Sequence, residues 1–228
     1  MEKSSSTRKS SKSEQTKRHI VACYLSLMRQ KQWDRISVIE ICRTAEITRG
    51  TFYQYFGDIY DLLEQLEQSL LRDLSERYAS CSKEAHRQWP IESFPTKFNY
   101  SPPAMFLVWF DFCRDHRDAV LALLDRKYGD AYFVKKLKSL MNHEINRMMD
   151  HEGTPNDELR EHFVHVFTEL HLLSTQTWLD SGGEAPLSVD DIVNLLNTMR
   201  VGSVYLRYKE ATDPEYSRIM GTAGVEMR

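Results

Sequence analysis

The sequence predicts an all-α protein: a small head of short helices followed by a larger helical bundle, about nine helices in total. Three observations carry this. Seven prolines and nine glycines in 228 residues leave long stretches without a helix breaker. No segment sustains the alternation of apolar and polar residues that marks a strand, and apolar residues instead recur three and four positions apart. The length is short for two full-sized domains and long for one compact bundle, which fits a small head on a larger body.

A Ser- and Lys-rich stretch, residues 1–13, is expected to be a disordered basic tail. The first helix then starts near Glu14 and ends by Lys31, with Ile20, Tyr24, Leu27 and Met28 on one face, and Trp33 follows in a turn. Ser37 stands three residues before Glu40, a capping box that opens a short second helix from Val38 to Thr44. Thr48 is a good N-cap for another short helical run through Phe52 and Phe56. Gly57-Asp58 ends that run and caps a helix carrying Leu62, Leu63, Leu66, Leu70 and Leu74 out to about Arg87. From Gln88 to Pro103 an irregular connection holds four of the seven prolines. Pro102-Pro103 opens a helix with Phe106, Trp109, Phe110 and Cys113; Asp118 opens another through Leu124; Asp130 to Asp150 makes a third. Gly153-Thr154-Pro155 breaks the pattern. Leu159, Phe163, Val166, Phe167, Leu170, Leu173 and Trp178 form one stripe. After Ser181-Gly182-Gly183, Ser188 starts a last helix with Ile192, Leu195, Leu196, Met199 and Leu206 on one face.

With 41% hydrophobic and 28% charged residues the chain has an ordinary soluble composition. No apolar run approaches the ~20 residues a membrane span needs, and the N-terminal stretch lacks the apolar segment of a signal peptide; the expected location is the cytoplasm, with no membrane contact. Cys23, Cys42, Cys81 and Cys113 are far apart and sit among apolar residues, as reduced core thiols do. His162 and His165 lie one turn apart without a third ligand, so no metal is expected, and no cofactor. A Gly-x-Gly-x-x-Gly, Walker, Gly-x-Ser-x-Gly or His-Glu-x-x-His pattern is absent, which argues against an enzyme.

The net charge of -3 conceals an asymmetry: residues 1–56 hold 11 Lys and Arg against 5 Asp and Glu, a balance of +6, and the remainder stands at -9. A basic head suits a polyanion, since Lys and Arg beside phosphates release condensed counterions. Two short helices joined by a tight turn have the outline of a helix-turn-helix, whose second helix enters the DNA major groove. That helix reads Thr48-Arg49-Gly50-Thr51-Phe52-Tyr53-Gln54-Tyr55-Phe56. Arg, Thr and Gln suit base edges, the tyrosine hydroxyls suit phosphates, and the two phenylalanines point back into the head. Gly50 costs a helix roughly 1 kcal/mol relative to Ala, and close approach to a DNA backbone is a reason to keep it.

These residues resemble the TetR family of bacterial one-component transcription regulators. Ile20 through Leu63 aligns without a gap to that family's signature, through Leu25, Trp33, Ser37-Val38, Ile41, Ala45, the whole run from Ile47 to Phe56, and Leu62. The resemblance implies a homodimer whose two heads read the half-sites of a palindromic operator, on a body that binds a small effector; the expected action is that of a repressor released by that effector. The alternative is a regulator of the same fold that acts as an activator or answers a protein partner. Carried over by position, Arg49, Thr51 and Gln54 read bases, Ser37, Thr48, Tyr53 and Tyr55 contact phosphates, and Gly50 permits the approach. Three positions depart from the pattern: Gln32 and Glu46 stand where glycine is usual in turns, with strain of roughly 1 kcal/mol expected for a left-handed residue, and Ile59 stands where a lysine often meets a phosphate. Lys17, Arg35 and Arg43 are candidate substitutes for that contact. Farther on, Tyr128-Gly129-Asp130-Ala131-Tyr132-Phe133 resembles the C-terminal domain of a subgroup common in Gram-positive bacteria.

The expected domains are therefore 14–60, the DNA-binding head, and 61–228, a ligand-binding and dimerisation domain. The two long C-terminal stripes are too apolar for one body to cover, which predicts a four-helix dimer interface in which Gly202-Ser203 lets backbones approach. Eight of the 25 aromatic residues lie between Gln88 and Phe112, and Phe106, Trp109, Phe110, Met141, Phe167 and His171 are the candidate pocket lining, implying an apolar or aromatic small molecule.

Overall fold

A computed structural model describes residues 3–81, 89–180 and 187–223. They form eleven α-helices, nine of them at least seven residues long, and no strand is found among them. In chain order these are α1 Lys3–Met28, α2 Val38–Thr44, α3 Arg49–Tyr53, α4 Ile59–Cys81, α5 Phe94–Lys97, α6 Ala104–Asp115, α7 Arg117–Leu123, α8 Ala131–His151, α9 Glu158–Asp180, α10 Val189–Thr212 and α11 Pro214–Ala223. Two compact units emerge. One comprises Met1–Ser75 with Cys113–Leu137, the other Glu76–Phe112 with Lys138–Arg228.

In the first unit, α1 begins eleven residues earlier than the expected start at Glu14, because no proline or glycine interrupts Lys3–Met28. Its buried stripe is Ile20, Tyr24 and Met28; like Ile41 of α2, Phe52 of α3 and Leu62 of α4 these have no exposed surface, and α1 packs on α2 and α2 on α3. The third helix is shorter than expected. It stops at Tyr53, and the chain reaches Phe56 through a turn closed by Tyr55 N–H to the Phe52 carbonyl, 3.0 Å, and Phe56 N–H to the same oxygen, 3.1 Å. Five residues cannot sustain a helix alone, since nucleation costs more than so few hydrogen bonds return. Tertiary packing of Phe52 and the nearly buried Phe56, ring centroids 5.7 Å apart, holds it.

Between α2 and α3 the chain turns through Glu46 at φ 53, a left-handed residue. Ile47 N–H bonds the Cys42 carbonyl at 3.0 Å and Glu46 N–H bonds that of Arg43 at 3.4 Å, the paired bonds of a Schellman ending that normally takes glycine. The expected strain is therefore present at Glu46. At Gln32 it is not: φ is -51 and ψ 134, extended backbone open to any residue, so the glycine usual in relatives is dispensable there.

The second unit is organised by two buried guanidiniums. Arg160 of α9 donates to Asn146 Oδ1, to the Asn146 carbonyl and to the Thr154 carbonyl, and pairs with Asp150 at 2.8 Å. Arg200 of α10 pairs with Glu152 and donates to Asn197, to the Asn99 carbonyl at 2.7 Å and to the Ser101 carbonyl at 3.0 Å, with Phe98 4.7 Å away across its plane. These bonds pin the proline-rich connection to the α8–α9 turn. There Gly153 sits at φ 67 with no room for a side chain, a Cβ falling 1.9 Å from the Trp89 carbonyl oxygen.

Two helices went unforeseen. Short α5 lies in the connection expected to be irregular. The other, α11, is capped by Asp213, whose Oδ1 accepts from Glu215 and Tyr216 N–H, followed by Pro214 at the first helical position, a legible start signal. The single stripe expected on α10 divides: Ile192 and Leu196 are core, whereas Leu195, Met199 and Leu206 face outward. On α9, Leu159, Val166 and Leu173 are likewise exposed, at intervals of seven residues. Cys23, Cys42 and Cys113 are buried thiols, but Cys81, expected in a core, is exposed at the end of α4. Ser181-Gly182-Gly183 lies outside the described residues.

Replacing the strained turn residue should help: Glu46→Gly is expected to raise unfolding free energy by about 0.5–1 kcal/mol in denaturant melts, the relief of left-handed strain exceeding the flexibility glycine adds. A loss would contradict the strain.

Candidate nucleic-acid interface

The helix-turn-helix, α2 and α3 with the turn between them, lies within the first unit. Ser37 opens α2 as a complete capping box: its Oγ accepts from Glu40 N–H at 3.3 Å while Glu40 Oε2 accepts from Ser37 N–H at 2.9 Å. Glu40 also takes Lys31 at 2.5 Å. The Lys31 ammonium, then the Ser37 backbone and hydroxyl, hold the Glu40 carboxyl down at about 2, so it stays charged and the cap stays closed at any physiological pH. Thr48 does the same work for α3, accepting from Thr51 N–H at 3.1 Å, with the two hydroxyls 2.9 Å apart.

Caps and packing together decide which side chains face water. Phe52 at the centre of α3 points inward, so Arg49, Gly50 and Tyr53 around it point out, together with Gln54 in the turn that follows. Tyr53 is 56% exposed. Thr51 and Tyr55 are half-buried, and the Gln65 amide reaches the Tyr55 carbonyl at 3.5 Å. Ser37 and Thr48 are exposed at the starts of the two helices. The structure thus brings all eight expected residues to one helix-turn-helix, with Thr51 and Tyr55 the least accessible of them.

Gly50 has no internal reason to be glycine. A Cβ there would meet only Thr48 Oγ1, at 3.7 Å, an ordinary contact. Among the basic residues, Arg35, Arg43 and Arg49 are exposed, while Lys17 is engaged, donating to Gln65 Oε1 at 2.8 Å and lying 5.5 Å from the Phe56 ring centre. Ile59 is half-buried, and beside it Tyr60, 58% exposed, stands edge-on to Trp33 at 5.6 Å. Sequence reasoning passed over Tyr60. The signal available was an aromatic hydroxyl one position after the missing lysine, in the first turn of a helix capped by Asp58, whose Oδ1 accepts Asp61 N–H at 2.8 Å.

The candidate pocket residues lie in the second unit and are all buried. Phe106, Phe110 and Phe167 surround His171, with ring centroids 5.0, 6.4 and 4.6 Å from it. Trp109 donates to Thr175 Oγ1 at 2.8 Å, and that hydroxyl donates to the His171 carbonyl. Since the Phe167 carbonyl can only accept, His171 carries its proton on Nδ1, and burial lowers its pKa to about 4, so the ring is neutral. Met141 is buried on α8. Two hollows lie elsewhere in the second unit. One of about 500 Å³ is lined by Tyr78, Pro102, Met105, Glu144, Arg147 and His151 among others. An apolar groove of about 430 Å³ runs beside Leu159, Phe163, Val166 and Leu206. Among the described residues no helix is long and apolar enough to cross a membrane.

Residues 25–66 match the model of the tetR family of bacterial regulatory proteins. Among curated proteins none matches the chain. Solved structures do. A tetR-family transcriptional regulator from Streptomyces coelicolor is 20% identical, with a TM-score of 0.53, over 90% of this chain and 86% of that one. A TetR transcriptional regulator from Streptococcus agalactiae 2603V is 18% identical, TM-score 0.51, over 85% and 98%. The fatty acid degradation regulator FadR from Bacillus halodurans is 12% identical, TM-score 0.56, over 82% and 95%.

Two substitutions check the local account. Gly50→Ala is expected to leave the unit folded and to stabilise it by up to about 0.5 kcal/mol in denaturant melts, since the methyl fits and helix propensity rises. Glu40 contributes stability that is present above its unfolded value near 4.5 and fades as pH falls toward 2, so the stability difference between the wild type and Glu40→Gln should vanish in acid. A difference that persisted at pH 2 would contradict the ion-paired cap.

Proposed function

We propose that this chain, whose residues 25–66 are a TetR-family helix-turn-helix head and whose fold is that of TetR transcriptional regulators, is a DNA-binding repressor that acts as a homodimer on a palindromic operator and leaves it when a small molecule binds the body. The observation that carries this reading is the outward face of α3: a guanidinium, an amide and a phenol free in solvent on a helix fixed from behind by Phe52 and Phe56. Arg49 and Gln54, with the half-buried Thr51, read base edges; Arg suits guanine and Gln adenine in the major groove. Ser37, Thr48, Tyr53 and Tyr55 position the head on phosphates, and exposed Tyr60 takes the place of the lysine absent at Ile59. Gly50 keeps α3 close to the DNA backbone.

The exposed stripes of Leu159, Val166 and Leu173 on α9 and of Leu195, Met199 and Leu206 on α10 support the homodimer. Six large apolar side chains are exposed on these two helices, three of them, Leu159, Val166 and Leu206, along one groove, and a lone chain leaves such surface in water at a cost. Pairing the helices with those of a second copy buries both. A small apolar or aromatic effector is the reading for the body, with the Phe106, Trp109, Phe110, Met141, Phe167 and His171 cluster as the region it enters.

Selection of duplexes from a random pool by the purified protein tests the function. The expected product is a palindrome with two like half-sites. On that duplex Arg49→Ala should lose roughly 10- to 100-fold in affinity with little change on random DNA, Tyr53→Phe should weaken both alike, and Gly50→Ala should weaken binding despite its stable fold. Equal losses on both DNAs for Arg49→Ala would refute its role. Paired Val166→Glu and Leu206→Glu should halve the mass seen by light scattering; a wild type that is already monomeric at micromolar concentration would refute the dimer.

A further inference from the structure

The second unit buries an acceptor that no donor answers. His171 of α9 is 1% exposed. Its Nδ1 lies 2.8 Å from the Phe167 carbonyl, and because a carbonyl only accepts, the neutral ring spends its one proton there. Nε2, on the far side of the ring, is left with a lone pair and no hydrogen. Among the described residues it has no hydrogen-bond partner, and it is closed to water. The surroundings are aromatic. Phe167 stands edge-on at 4.6 Å between ring centroids, Phe106 of α6 edge-on at 5.0 Å, and Phe110 nearly parallel at 6.4 Å. The backbone at this point is held too, since Trp109 Nε1 donates to Thr175 Oγ1 at 2.8 Å and that hydroxyl donates to the His171 carbonyl at 2.8 Å.

We infer that His171 Nε2 is the acceptor for the body's effector and that the effector is a neutral phenol or alcohol, its hydroxyl donating to Nε2 and its apolar frame lying against Phe106, Phe110 and Phe167. The existence of an effector rests on the proposed function; the inference adds the polar group that molecule must carry. A bare buried acceptor forgoes a whole hydrogen bond, so a donor brought to it gains more than the same donor meeting an acceptor already engaged. Protonation does not fill the gap, because burial lowers His171 to about 4 and the ring stays neutral at physiological pH. Surroundings that oppose a charge on the ring oppose one beside it, which disfavours a cation. An ionised carboxylate is disfavoured twice, since it also has no hydrogen to give. Entry displaces side chains, not backbone, and so proceeds by rotamer changes of the rings. Open space is near along the chain: Met105, which precedes Phe106, and Glu144, three residues after Met141, both line the hollow of about 500 Å³.

Two probes of one shape test this: para-cresol, and para-xylene, which has a methyl in place of the hydroxyl. Because the two differ in hydrophobicity, the decisive quantity is a ratio compared between proteins. In calorimetric titrations of the full chain, the preference for para-cresol over para-xylene should fall roughly 10- to 100-fold from wild type to His171→Phe, which removes the acceptor and keeps an aromatic ring. An unchanged ratio would overturn the assignment. A second reading needs no variant. In wild type carrying isotope-labelled histidine, the Nε2 resonance of His171 should move toward its hydrogen-bonded value with para-cresol and far less with para-xylene. Equal shifts with both probes, or failure of para-cresol to bind at millimolar concentration, would also overturn it. The consequence for DNA is read separately. Para-cresol that binds through His171 yet leaves unchanged the affinity for a duplex enriched from a random pool supports the acceptor site and counts against effector-driven release.

Discussion

The burial of Phe52 and Phe56 is the interaction on which the reading surface depends. A five-residue helix has no stability of its own, and the capping threonine alone does not make one. What fixes α3 is that its central side chain, Phe52, has no exposed surface, and that Phe56, its ring 5.7 Å from that of Phe52, closes the turn behind it. Once the inward direction is set, helical geometry sets the outward one. Arg49, Gly50 and Tyr53 face solvent because Phe52 faces the core. The outward face of α3 is thus a by-product of core packing.

The same economy governs the rest of the first unit. The turn before α3 accepts strain at Glu46 because the paired bonds of Ile47 and Glu46 to the end of α2 over-determine it. Residues 113–137 belong with the head's unit although they are distant in sequence, and α1 packs on α7. That places two buried carboxyl side chains, Glu67 of α4 and Asp130 at the start of α8, within the unit that carries α3. The second unit solves its own problem by different means: Arg200 satisfies the Asn99 and Ser101 carbonyls of the irregular connection, and Arg160 those of Asn146 in α8 and Thr154 in the turn after it.

Much of the head was legible because its signals are local. The Ser37–Glu40 box, the Thr48 cap, the Asp58 cap and the apolar spacing of α1 and α4 each act within a few residues, and each appears where the spacing puts it. The limits of α1 and α3 were not legible, since a helix start without a breaker and a helix end set by tertiary packing leave no local mark. The division of the α10 stripe is of the same kind. Ile192, Leu195, Leu196 and Met199 are all apolar, and only the neighbours packed on α10 decide which go inward. The α11 start, by contrast, was written in Asp213-Pro214 and passed over.

The central claim is that this protein meets DNA through the surface that Phe52 and Phe56 fix from behind. Hydrogen exchange followed by mass spectrometry, on the full chain with and without a duplex enriched from a random pool, tests it most directly. The account predicts slowed exchange on DNA binding in peptides covering residues 37–55, with α9 and α10 unprotected by DNA. Protection confined to α9 and α10, with the peptides of α2 and α3 exchanging as fast as in the free protein, would contradict it.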